Sequence, residues 1–125
     1  MTWGLWCILI AGFLPYLATM VAKWGFDQYD NHSPRTWLAE QVGFRARANA
    51  AQSNSFEAFP FFAAAVLTAT VTHASQVSID AFATVFIASR LLYIACYVTD
   101  RATLRSYCWL AGIISNVGLF VSAAT

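Results

Sequence analysis

The chain has 125 residues, 59% of them hydrophobic and only 10% charged, with a formal net charge of +1. A soluble domain is about 25% charged, so this is a membrane composition, and so small a positive charge leaves no basic patch to follow a nucleic-acid backbone. Cys7, Cys96 and Cys108 fall singly in apolar stretches with no CxxC spacing, which excludes a disulfide framework or a zinc site and reads as three small hydrophobes.

The first predicted span covers residues 3–24. Its body is an uncharged apolar run long enough to cross about 30 Å of hydrocarbon. A cleaved leader is disfavoured, because the run is too long and no lysine or arginine precedes it. Pro15 is expected to kink this helix, and Lys23 and Trp24 mark the water boundary. The polar segment from Gly25 to Gly43 follows. Ser33 before Pro34 predicts an N-cap with proline at the first helical position, opening a short helix through Trp37 and Leu38 along the membrane surface. His32 has no second ligand at a useful spacing and reads as a solvated loop histidine.

The second span covers residues 44–73, with Arg45 and Arg47 at its water boundary. The third covers 77–98 and is interrupted by Arg90. The fourth covers 105–124. The predicted fold is therefore an all-α membrane protein, one domain over residues 1–125 with four transmembrane helices. Lys23, Arg35, Arg45, Arg47, Arg101 and Arg105 belong to the first and third connections and the adjoining helix ends, whereas the second connection and both tails have no lysine or arginine. By the positive-inside rule the charged connections face the cytoplasm and both termini face the opposite side.

Polar residues concentrate in the stretch FRARANAAQSNSFEAFPFF, from Phe44 to Phe62. A carboxylate at mid-membrane costs roughly 2.5–3.5 kcal/mol on insertion scales, so Glu57 needs a partner and a task. At about 100° per residue, Asn54 and Glu57 share a face while Gln52 points elsewhere. Arg90, Tyr93 and Tyr97 sit at i, i+3 and i+7, on one stripe of the third span. Because the second and third spans are antiparallel, Glu57 and Arg90 reach similar depth. Two readings follow. In one, Glu57 and Arg90 are a buried ion pair that fixes helix register, with the tyrosines as packing. In the other, the surplus of polar side chains lines a pocket at the cytoplasmic end for a small zwitterion or anion.

The segment AQSNSFEAFPFF resembles the second-helix motif of the MAPEG family (membrane-associated proteins in eicosanoid and glutathione metabolism). The stripe Arg90, Tyr93, Tyr97, followed by Leu104, Arg105 and Ser106, is similar to that family's third-helix and loop signature. This resemblance spans essentially the whole chain. It implies a homotrimer of four-helix protomers, in which glutathione is a co-substrate bound between neighbouring subunits near the cytosol. It further implies that Asn54 and Glu57 contact the peptide backbone and amino group of glutathione. Gln52 matches a further contact position, and Tyr93 and Tyr97 line the pocket. Arg90 holds Glu57 or a glutathione carboxylate. Arg105 matches the arginine that stabilises the thiolate, with Arg101 as a second candidate. Where the family motif opens with arginine, this chain has Ala50, and Arg47, one turn earlier, is the candidate replacement. The implied function is a membrane glutathione transferase or peroxidase acting on lipophilic electrophiles that enter from the lipid. The alternative is a non-catalytic member that binds another small anion or serves as a partner subunit.

Overall fold

The computed structural model describes all residues, Met1–Thr125, and contains helices without strands. Helix α1 runs over Trp3–Ala22, α2 over Pro34–Ala39, α3 over Phe44–Val71, α4 over Gln76–Val98 and α5 over Ala102–Ala123. Four of these, α1, α3, α4 and α5, are long and apolar enough to cross a membrane. Beyond α1, a single 3₁₀ turn at Trp24–Phe26 carries the chain out of the span, through Gly25 at φ 76°.

Small residues set the packing. The buried face of α3 comprises Ala48, Ala51, Ser55, Phe62, Ala65, Val66 and Ala69, a heptad-like stripe along one side of the helix. Lipid supplies no hydrophobic force between helices, so close approach of such small side chains is what holds a bundle together. Phe62 and Phe86 stack at 3.9 Å in the middle of the core. Two glycines mark the closest approaches. A Cβ on Gly118 would run into the Phe82 ring, and one on Gly4 would fall 2.6 Å from Ile79 Cγ2. All three cysteines are buried and free.

The arginines that open α3 fix the charged end of the bundle. Arg45 donates to the carbonyls of Ala22 at 2.9 Å and Trp24 at 2.7 Å. Arg47 donates twice to the Val98 carbonyl, at 3.1 and 3.0 Å. Each guanidinium thus satisfies an orphan carbonyl at the end of a neighbouring antiparallel helix, where the helix dipole also favours positive charge. At the opposite end, Asp80 on α4 accepts from the Gly4 amide at 2.9 Å, placing a carboxylate at the N-terminus of α1. The α4–α5 turn closes with Asp100 at φ 59° and an Arg101 amide bond to the Cys96 carbonyl, a Schellman-type ending.

The short helix α2 starts at Pro34 after Ser33, although the Ser33 side chain makes no capping bond. Trp37 and Leu38 turn inward and pack with Ala22 and Ala48, so α2 closes the charged end of the bundle. It anchors there because two large side chains are taken out of water.

Candidate functional site

On the α3 turn facing α4 and α5, Asn54 links two groups of opposite charge. Arg90 Nη2 donates to Asn54 Oδ1 at 2.8 Å and, more weakly, to Ser55 Oγ at 3.4 Å. Asn54 Nδ2 donates to Glu57 Oε2 at 3.4 Å. Arg90 is 2% exposed, yet both of its side-chain acceptors are neutral oxygens. The direct ion pair between Glu57 and Arg90 expected under the purely structural reading is replaced by this amide relay. Glu57 itself is exposed on the surface of the single chain.

The tyrosine stripe continues the arrangement toward the charged end. The Arg90 guanidinium lies 4.1 Å from the Tyr93 ring centroid, and that of Arg105 lies 4.3 Å from the Tyr97 ring. Tyr93 and Tyr97 meet edge to face at 5.6 Å. Aromatic faces hold both cations in position without neutralising them.

Two adjoining cavities result. The outer one, about 210 Å³, is lined by Asn54, Tyr93, Tyr97, Arg105, Ser106 and Trp109. The inner one, about 310 Å³, is bounded by Glu57, Arg90, Phe61 and Asn116 among others, and it shares Asn54 and Trp109 with the first. The polar stripe of α4, the Asn54–Glu57 face of α3 and the stripe of α5 from Arg105 to Asn116 therefore converge on one groove. Arg101 lies outside it, exposed at the N-cap of α5.

Two residues expected at the site lie elsewhere. Gln52 lines a separate cavity of about 320 Å³ with Arg35, Asn49, Ser53 and Phe56, two residues and therefore about 200° around α3 from Asn54. Arg47 is engaged by the Val98 carbonyl. Trp109 and Asn116 were not singled out from the sequence. Their signal was there: Arg105, Trp109, Gly112 and Asn116 fall at i, i+4, i+7 and i+11, one stripe of α5.

The model of the MAPEG family matches residues 3–125. The chain belongs to the MAPEG family. No curated protein and no solved structure matches it. Family membership and the four apolar helices together make this MAPEG chain an integral multi-pass membrane protein, of a family associated with glutathione metabolism. The groove carries charges of both signs that lack direct ionic partners. Arg90 and Arg105 are cations without a carboxylate among their side-chain contacts, Glu57 is a carboxylate without a cation among its own, and Asn54 offers both a donor and an acceptor.

Proposed function

We propose that the protein is a glutathione-dependent membrane transferase or peroxidase that acts on lipophilic electrophiles. The observation that carries this reading is the buried Arg90, bonded only to the neutral oxygens of Asn54 and Ser55. A buried guanidinium without an anionic partner is costly, and a ligand carboxylate supplies one bidentately. In this reading Glu57 holds the ammonium group, and Asn54 spans the peptide between them. Arg105, held over Tyr97, sits beside the sulfur. A free thiol has a pKa of about 8.5 and is mostly protonated at neutral pH. The fixed charge of Arg105 raises the thiolate fraction by favouring the anion over the neutral thiol. As a transferase, the thiolate bonds to an electrophilic carbon and water protonates the carbanion or leaving group released. As a peroxidase, it bonds to the terminal peroxide oxygen while the O–O bond breaks, giving a sulfenic acid and an alkoxide that water protonates, and a second glutathione condenses with the sulfenic acid to give the disulfide and water.

The position of Gln52 favours a binding site between subunits. On one chain it faces away from Asn54, so a single ligand touches both only if two copies contribute. A cyclic trimer brings unlike faces of neighbouring protomers together. It would set the Arg35–Gln52 cavity of one copy against the Asn54–Glu57 face of the next and cover the exposed Glu57. We place this end of the bundle, with its six basic residues, in the cytoplasm. Membrane lipids surround the trimer and deliver the lipophilic substrate.

Equilibrium binding of glutathione to the purified protein tests the reading, with wild type compared against Arg90→Leu. Saturable binding that the substitution abolishes supports it. Absence of binding at millimolar glutathione by an intact oligomer favours the anion-binding or partner-subunit alternative.

A further inference from the structure

Asn116 is 1% exposed in the middle of α5, and its Oδ1 is buried without a hydrogen-bond partner. An unsatisfied amide oxygen at membrane depth is expensive, because no water is at hand to replace the missing donor. The side chain borders the inner cavity, which carries Arg90, Glu57 and Asn54 at its polar wall and otherwise apolar groups such as Phe61, Phe86 and Ile113. Asn116 lies two turns, about 10 Å, beyond Trp109 along α5, on the side away from Arg105.

We propose that Asn116 is a specificity-determining anchor for a hydroxyl group on the lipophilic substrate, remote from its reactive carbon. The chemistry selects the group. The orphan oxygen needs a donor, and the soft χ2 torsion of asparagine lets either end of the amide turn to the cavity. A ketone, ether or epoxide accepts only and leaves that oxygen unpaired. An O–H group both donates and accepts, and it satisfies Asn116 in either orientation. The inner cavity accordingly takes an oxygenated alkyl chain, with its reactive carbon toward Trp109 and the outer cavity and its O–H toward Asn116. The position of the anchor rests on the cavity alone, whereas the reaction rests on the glutathione reading above.

The test uses the whole chain in lipid nanodiscs and two substrates that differ by one hydroxyl at the end remote from the reactive carbon, 9-hydroxy-2-nonenal and 2-nonenal. With either, the glutathione sulfur bonds to C3, the C2=C3 electron pair moves onto the enal, and water supplies the proton at C2. Asn116→Leu should lower kcat/KM for the hydroxylated aldehyde by about 3- to 20-fold, the range of hydrogen bonds measured inside membranes. Turnover of 2-nonenal should stay within about twofold, because leucine keeps the branched four-atom outline of asparagine and removes its polarity. A second arm omits glutathione and compares stabilisation by 1-nonanol with that by 1-fluorononane. Wild type should prefer the alcohol, and the variant should lose that preference. An unchanged substrate ratio overturns the proposal, as does a change in oligomer mass for the variant, which would assign the Asn116 contact to a neighbouring copy. If neither aldehyde is conjugated, the glutathione reading fails by itself and the alcohol comparison decides the role of Asn116: preference lost on substitution supports it, and no preference in wild type overturns it.

Discussion

Arg90 and Asn54, on different helices, meet at 2.8 Å through a single N–H···O bond, and this contact organises the groove. Asn54 passes the connection to Glu57, so two opposite charges are held in one constellation without collapsing onto each other. Asn54→Leu should remove the bridge and leave the Arg90 guanidinium short of an acceptor. Stranding a buried donor costs about 1–3 kcal/mol. The variant should therefore unfold at lower temperature in detergent and bind glutathione at least tenfold more weakly. Unfolding temperature and binding isotherm together check this, and a normal isotherm would remove Asn54 from the site.

Arg105 and Arg101 are separated by one turn but differ in setting. Arg105 stands over Tyr97 at 4.3 Å and lines the outer cavity, whereas Arg101 is exposed at the start of α5. Arg105→Ala should reduce the thiolate absorbance of bound glutathione at neutral pH several-fold, up to about tenfold for each unit by which the thiol pKa rises. Arg101→Ala should leave it unchanged. Reversal of the two results would transfer the thiolate role to Arg101.

Arg47 is a different case, because its two bonds end on the Val98 carbonyl. Arg47→Ala should cost about 1 kcal/mol of stability through a lost helix-end contact. Its glutathione affinity, measured below the unfolding transition, should match wild type. A selective loss of affinity with unchanged stability would instead make Arg47 the replacement for the arginine absent at Ala50.

The four spans were legible because each carries an apolar stretch that matches the bilayer thickness, even where Glu57 and Arg90 interrupt the second and third. Asn54, Glu57, Arg90, Tyr93, Tyr97 and Arg105 were legible as polar side chains at helical spacing. What the sequence concealed was pairing. Spacing shows that Glu57 and Arg90 share a depth, but only side-chain geometry reveals Asn54 between them. The same limit hid the attachment of Arg47 to Val98, because a boundary arginine on one helix carries no signal of which carbonyl it meets on another. Asn116 was readable as a lone amide in an apolar span, but its meaning depended on the cavity that other helices complete.

Gln52 and Asn54 lie on opposite faces of α3 and line different cavities, which makes the proposed assembly testable without a structure of it. Gln52→Ala and Asn54→Ala should each weaken glutathione binding when expressed alone. If the site forms between unlike faces of neighbouring protomers, co-expression should restore interfaces in which the intact Asn54 of one variant meets the intact Gln52 of the other. Random mixing at equal levels gives about a quarter of the interfaces both native faces. Active-site titration of the mixed protein should therefore recover about that fraction of wild-type sites. Zero recovery, from a preparation shown by mass to contain mixed oligomers, would mean that each chain binds alone and that Gln52 serves another purpose.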